Sequence, residues 1–581
     1  MDSFLLNRKG LLGKLAKNIM AHQTIAEGVP LRNDLVFIRY EGKVIRNIQV
    51  RRLDFGTPIT DTSSHFKNKL TQLAKDFHRT TREQVIRNNL FLKKGDRLVS
   101  HILADNERHL RDLPYLLDAK IAVMYATADS VDILVLTKDV LSIGGSYQMH
   151  NTQKMSVGIS EDNLGGWGHE LLLRTLFDNI RDPKFGYGAK YTARNIGGSF
   201  IDANMGYLSY NNNFNTWTEN EELMYTGFVR PLVNPYMKFT YAAEAAWHNT
   251  ANVYTTDSLY ETAQKYRYYN YDAWIGWNAG AFKILGNNKD NRLRTLIGLR
   301  YLQRNFSEVP IQFLHQYNYQ YADLRAVLSS ITIFRQDFYK TQYIYGFGRN
   351  EDIPEGADIS FTAGWTRKSG VERPYFGLDI QRYFFTRNES YFNCTLKADG
   401  YWRQRQSEDV NILFNVDYFS RLMHLGTTWK ERNFISADIA HQSRLILNEP
   451  LFLQSDFGLR EWRNDTVTLG NTRATLKVES VFFTPWNLAN FRFAPFAFAN
   501  VCMFTPMEQK ISRSNWYNSY GGGLRTRNES LIFETLEFKA FFFPNKNFFG
   551  DYWRLEFNTN VRFKFNRQFI KRPDFVNANG L

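Results

Sequence analysis

From about residue 141 onward, apolar and polar positions alternate in segments of roughly ten residues, separated by Gly, Asn and polar pairs. Leu141-Ser142-Ile143-Gly144-Gly145-Ser146-Tyr147-Gln148 opens the series, and residues 154–160, 169–177 and 187–195 continue it. Later segments alternate cleanly, as in Ile359-Ser360-Phe361-Thr362-Ala363-Gly364-Trp365 and Asn411-Ile412-Leu413-Phe414-Asn415-Val416-Asp417-Tyr418. A period of two sends successive side chains to opposite faces of a sheet. The pattern predicts about 15 strands before Asp456. Five more are predicted after it, at 472–483, 491–504, 519–527, 536–543 and 553–566. So many similar strands are accounted for by a closed barrel, because lipid cannot satisfy the hydrogen bonds of an open sheet edge.

Before residue 141 the pattern is mixed. Glu41-Gly42 reads as a turn and Lys43-Val44-Ile45-Arg46-Asn47-Ile48-Gln49-Val50 as a strand. Thr80-Thr81-Arg82-Glu83-Gln84 offers two overlapping capping boxes for a helix that sets Ile86 and Leu90 on one face. A second helix is predicted over 99–113, with Ile102, Leu103, Leu110 and Leu113 apolar and Pro114 as its stop. Strands at 120–125 and 131–137 complete a β-α-α-β-β unit. Residues 5–20 are basic and spaced for a short amphipathic helix, although Gly10 and Gly13 favour a poorly ordered arm equally well. The resulting division is an arm over 1–40, a small α+β domain over 41–140 and a barrel over 141–581.

Composition sharpens the barrel reading. Aromatic residues make up 16% of the 581 residues, yet no apolar run approaches the length of a membrane helix. Mean hydropathy is only −0.43. A transmembrane antiparallel β-barrel reconciles these values, since only alternate residues face lipid and aromatic girdles mark its rims. A large soluble β-protein is the alternative. The net charge of +14 comes from basic residues scattered along alternating segments, which reads as pore-facing and rim positions and argues against nucleic acid as a partner. Cys394 and Cys502 fall in predicted strands without metal spacing, as buried or lipid-facing thiols or as a disulfide. The first residues lack the n-region and h-region of a secretory signal, so a removed signal is expected if the barrel reading holds.

No catalytic constellation is legible. His65, His78, His101 and His109 read as surface residues, and His150, His169, His248, His315, His424 and His441 are scattered singly without a nucleophile motif. No Walker loop, dinucleotide fingerprint or metal-spaced cluster is present in the sequence, so neither an enzyme nor a cofactor is expected.

The small domain, by its element order and by Gly42-Lys43-Val44-Ile45-Arg46-Asn47-Ile48, resembles a POTRA domain of the BamA/TamA-type outer-membrane assembly and translocation family. The resemblance continues through the barrel. Glu161-Asp162-Asn163-Leu164-Gly165-Gly166-Trp167-Gly168 looks like the family's turn after the second strand. Tyr520-Gly521-Gly522-Gly523-Leu524-Arg525 is similar to its glycine-rich strand. Leu459-Arg460-Glu461-Trp462, within Asp456 to Asp465, resembles the arginine-glycine-aromatic motif of the family's long inward loop, which five strands follow.

The chain departs from the family in several places. Glu461 stands where the motif has glycine, and Asn500, in Phe498-Ala499-Asn500-Val501-Cys502, stands where the wall motif has an acid. The sequence continues some 15 residues past the last predicted strand, through Asn577-Ala578-Asn579-Gly580-Leu581, without a terminal aromatic. The family has sixteen strands; twenty suits this length better, at about 22 residues per strand against about 28.

The resemblance implies an outer-membrane protein with a periplasmic POTRA-like domain, surrounded by lipid. Its partners would be client polypeptides and accessory lipoproteins, bound by strand addition at the domain's sheet edge. It further implies a weak seam between the first and last strands, here Ile143, Gly144 and Gly145 against Phe557, Val561 and Phe563. Arg460 is expected to point into the lumen and pair with Glu479, with Asn500 as a neutral acceptor and Glu461 as a partner inside the loop. A channel passing solutes or lipid, with no assembly activity, is the second reading.

Overall fold

The computed structural model describes residues 29–53, 79–151, 153–214, 218–280, 292–348, 350–462, 468–488, 491–528, 535–548, 550–558 and 572–580. The predicted helix at 5–20, His65 and His78 lie outside them.

Among the described residues the small domain shows β1 (Val44–Leu53), α1 (Glu83–Asn88), α2 (Ser100–Asp112), β2 (Leu116–Ala126) and β3 (Ser130–Asp139), in the order predicted for them. β3 is the central strand, parallel to β1 and antiparallel to β2. Val131, Ile133 and Val135 of β3 bury one face against Leu103 and Leu110 of α2 and Ile86 of α1. The predicted capping boxes do not form. The N-cap of α1 is Arg82 and carries no side-chain cap. Thr81 is engaged elsewhere: its amide donates to Asp139 Oδ2 at 2.6 Å, and its hydroxyl accepts from Asn163 Nδ2 at 2.9 Å. Tertiary partners have taken the group that local sequence offered to the helix.

Among the described residues, twenty-four strands form the second sheet, four of which are two- or three-residue pieces; the remaining twenty make the barrel wall. The first ten are β4 (Ile143–Asn151), β5 (Lys154–Glu161), β6 (Glu170–Asp178), β7 (Phe185–Ala193), β8 (Asp202–Asn211), β9 (Glu221–Arg230), β10 (Phe239–Thr250), β11 (Arg267–Asn278), β12 (Arg294–Glu308) and β13 (Leu324–Thr341). The rest are β14 (Glu351–Lys368), β15 (Val371–Phe385), β16 (Tyr391–Arg403), β17 (Gln406–Phe419), β18 (Trp429–Ser443), β19 (Leu469–Phe483), β20 (Phe491–Pro506), β21 (Asn515–Asn528), β22 (Leu536–Phe542) and β23 (Trp553–Asn558). The strand order places β23 next to β4 and so completes the ring. The wall is uneven: β4 to β9 have 8–10 residues each, whereas β13 and β14 have 18.

The wall is inside out relative to a soluble sheet. Along β13, Val327, Ile331 and Ile333 are about half exposed and sit opposite Trp365, Phe361 and Ile359 of β14, which are equally exposed. The alternate residues Ser330, Thr332 and Gln336 are buried in the lumen. Exposed apolar rows running across neighbouring strands, with polar side chains inside, are the distribution that lipid selects and water penalises.

The small domain sits on the barrel end from which β4 departs, and the charged face of α2 meets the wall there. Arg111 pairs with Asp352 at 2.8 Å and with Glu107 at 2.6 Å, Lys340 reaches Glu107 at 2.9 Å, and Arg292 reaches Asp105 at 2.8 Å. Residues 31–32 extend this contact by pairing antiparallel with Tyr339 and Lys340 of β13. His101 and His109 were expected at the surface and are not free there. His101 packs 5.5 Å from the Tyr236 ring, and His109 lies between Phe91 and Phe200 at 5.1 and 5.8 Å. A sequence pattern reveals a polar helix face but not whether water or another polar surface covers it.

These contacts carry a pH dependence. Burial, reinforced by Arg292, pushes His101 down to about 4, and burial beside Arg108 pushes His109 down to about 3. Burial pushes Glu107 up, but Lys340 and Arg111 outweigh it and hold the carboxyl at about 2. A depressed histidine costs nothing above its ordinary value near 6.5. Below that, the released domain takes up a proton that the docked one refuses. Docking is therefore expected to weaken as pH falls from about 6.5 towards 4, by up to about 1.4 kcal/mol per histidine per pH unit. Burial raises Asp105, which opposes the trend at its acid end. Hydrogen exchange of the α2 amides at about pH 7.5 and pH 5 checks this, and His101→Gln with His109→Gln should flatten the difference.

Candidate functional site

The loop joining β18 to β19 leaves the barrel end opposite the small domain and turns back into the lumen. Leu451 and Phe452 pair with Gly470 and Leu469 at the start of β19. The chain then folds on itself, the Leu459 amide donating to the Leu453 carbonyl at 2.7 Å. Gly458 makes that fold possible: a Cβ there would lie 2.0 Å from the Leu453 oxygen. The turn ends in a short 3-10 helix, Arg460–Trp462. Leu451, Leu453, Leu459 and Trp462 are buried together with Phe483, Phe504 and Phe543 of the wall side.

The four motif residues divide their work differently from the expectation. Arg460 pairs with Asp456, four residues back in the loop. The expected acceptor Glu479 is held bidentately by Arg525 at 2.7 and 2.9 Å, and Arg525 also binds Glu537 at 2.6 Å. Arg460 and Glu479 thus each hold a charged partner other than the one expected. The reason is register: Glu479 faces Phe498 on β20, which sets it two strands from Arg525, whereas nearness along the chain had suggested Arg460.

The side chain that ties loop to wall is Glu461. Its Oε1 accepts from Asn500 Nδ2 at 2.8 Å and from the Ser519 hydroxyl, and its carbonyl accepts from Arg554 at 3.1 Å. Asn500 is therefore part of the lock as a donor to Glu461, where it had been expected as an acceptor for Arg460. Glu461, expected as an intra-loop partner, supplies the negative charge from the loop side. Trp462 completes the lock, with Tyr517, Phe543 and Phe548 around its ring at 5.1–5.3 Å.

At the seam, Ile143, Gly144 and Gly145 lie on β4 and pair with Glu161, Ser160 and Ile159 of β5. Phe557 lies on β23 and pairs with Phe538 of β22. Val561 and Phe563 lie outside the described residues. Both cysteines are free thiols, Cys394 half-buried and Cys502 buried.

The lumen holds a second feature that sequence reasoning missed. Residues 572–580 lie inside the barrel as a strap running from the β11–β12 wall to the β19 wall. Arg300 is bidentate to Asp272 and also binds Asp574 at 2.6 Å and the Pro573 carbonyl at 3.0 Å. The Val576 amide donates to the Tyr375 hydroxyl at 3.0 Å. Beyond it, Arg473 donates to the Ala578 carbonyl at 2.6 Å. Between this strap and α2 lies a chamber of about 760 Å³, lined among others by Arg108, Asp112, Thr332, Asp379 and Asp574. The strap has no period and few apolar residues, so the sequence held no signal beyond its length past β23.

No protein-family model and no curated protein matches the chain. Among solved structures, CdiB from Acinetobacter baumannii is similar with a TM-score of 0.41 and 9% identity, over 89% of this chain and 73% of that one. BamA from Haemophilus ducreyi lacking POTRA domains 1–3 gives 0.35 and 12%, over 88% and 84%. The siderophore receptor PirA from Pseudomonas aeruginosa gives 0.31 and 7%, over 73% and 70%. Likenesses at these TM-scores leave the functional question to the chain's own geometry.

Proposed function

We propose that the protein is an outer-membrane barrel that assists the insertion or translocation of other polypeptides, with the small domain acting as a POTRA-like module in the periplasm. The observation that carries this reading is the join between domain and seam. β3, the central strand of the domain, is followed by β4 after only Val140, Leu141 and Ser142, and all three are buried. A rotation of the domain is therefore passed to β4 and not absorbed by a slack linker. β4 is also one of the two strands that meet where the ring completes. β1 and β2 are the edges of the domain sheet, where an extended client or an accessory lipoprotein would add as a strand. No catalytic step and no cofactor belong to this reading.

Crosslinking tests it. With Cys394 and Cys502 replaced by Ser, one cysteine is placed at 143–145 and one at 553–557. Oxidation is expected to stop assembly of other outer-membrane proteins, and reduction to restore it. Unchanged assembly with the seam locked would exclude lateral opening as the mechanism. The second reading, a channel, is favoured by the chamber and the lumen ion pairs. It predicts that depletion leaves other outer-membrane proteins at normal levels while removing a solute flux.

A further inference from the structure

We propose that the loop 449–457 and Arg473 form a peptide-binding site inside the lumen, specific for a turn, closed by the Asn577 side chain onto the Asn579 and Gly580 amides at 2.9 and 2.8 Å, that carries Asn followed by Gly. The chain's own residues 577–580 fill it in cis as a displaceable stopper. The proposal does not depend on the assembly role, since it concerns only whether the lumen is open.

The site is built around one side chain. Asn579 Oδ1 accepts from the Phe452 amide at 2.9 Å and from Arg473 Nη1 at 3.3 Å, while Nδ2 donates to the Pro450 carbonyl at 2.9 Å. The Asn579 carbonyl accepts from the Asp456 amide at 3.1 Å. Both ends of the amide are thus read, so Asp would meet the Pro450 carbonyl with an acceptor and lose the contact.

Arg473 is fully buried and organises the pocket. It binds the Phe452 carbonyl and the Ser455 hydroxyl at 2.6 Å each, and it holds the Ala578 carbonyl. The next position is read by shape. Gly580 has φ +72°, and a Cβ there would lie 2.9 Å from Asp456 Cβ and from the Phe457 ring. Asn579 is as buried as a core residue, yet it belongs to no strand of the wall.

Two consequences separate a stopper from a passive filler. The strap crosses the lumen, so its removal opens a path through the chamber. It also touches Phe452, Asp456 and Phe457, so the lock made by Glu461 a few residues later is buttressed by its presence.

Conductance in planar bilayers tests the proposal with the full chain. Asn579→Leu, which removes the contacts to the Phe452 amide, Arg473 and the Pro450 carbonyl, is expected to raise the open probability about tenfold or more over the unsubstituted protein. Deleting residues from Arg572 onward is expected to give a steady open pore. A synthetic peptide of residues 572–580 should close that pore, whereas the peptides with Asn579→Leu or Gly580→Val should not. Equal conductance of the Asn579→Leu protein and the unsubstituted protein would overturn the stopper. Equal block by all three peptides would overturn the specificity. If the deletion does not fold, the Asn579→Leu and Gly580→Val full-length proteins decide alone.

Discussion

Arg111→Ala is expected to release the small domain from the barrel mouth. The guanidinium contacts Asp352 through Nε at 3.0 Å and through Nη2 at 2.8 Å, and also holds Glu107 at 2.6 Å. All three groups are buried. Removing the cation leaves the Asp352 carboxylate enclosed without its bidentate partner, a change that typically costs about 3–5 kcal/mol. Asp352→Ala should cost a similar amount by stranding Arg111. The double substitution should cost less than the sum, because neither charge is then left behind. Spin-label distances between α2 and the turn at 195–200 would lengthen or broaden. If α2 remains as protected from exchange in Arg111→Ala as in the unsubstituted protein, the ion pairs are not what holds the domain.

The second large effect is expected at Glu461 and not at the neighbouring arginine. Glu461→Ala leaves the Asn500 amide and the Ser519 hydroxyl without their acceptor, at about 1–3 kcal/mol. Glu461→Gln keeps an acceptor oxygen and should retain much of that stability. Arg460→Ala loses a pair that is about a third exposed and lies within the loop, which is expected to cost no more than about 1 kcal/mol. Asn500→Asp, which restores the acid of the resembled wall motif, should destabilise this barrel by setting two carboxylates against each other. Heat-modifiability on a gel, read as the fraction of compact barrel against temperature, ranks the four. An order in which Arg460→Ala falls furthest would return the lock to the arginine.

What the sequence made legible was whatever repeats. Period-two segments gave the strand count, including five after the loop, because lipid outside and a polar lumen inside impose alternation on every strand. The β-α-α-β-β order was legible for a similar reason: Leu103 and Leu110 recur at helical spacing and Val131, Ile133 and Val135 at strand spacing. Partners were not legible where register decides them. Glu479 and Arg525 are 46 positions apart and meet only because β20 lies between their strands. Nor could the polar face of α2 be distinguished from a solvated one, since Asp105, Glu107 and Arg111 look the same whether they meet water or Arg292, Lys340 and Asp352. The strap at 572–580 belongs to a third kind. Its contacts go to Arg300, Tyr375 and Arg473 on three separated wall strands and to the backbone of a distant loop, a set that leaves no trace in residue spacing.

The uneven height of the wall has a consequence for the surrounding bilayer. A strand needs about 9–11 residues to cross the hydrocarbon core. β4 to β9 barely reach that length, whereas the 18-residue β13 and β14 exceed it well. Lipid beside the short strands must compress to match them, at a fraction of a kcal/mol per ångström of mismatch. The compression is one-sided, because the tall strands stand away from the seam. A polypeptide entering beside β4 would meet a thinned leaflet, with less hydrocarbon to cross before its polar backbone is paired. Under the proposed assembly role, this deformation would lower the insertion barrier before any strand of the barrel has moved.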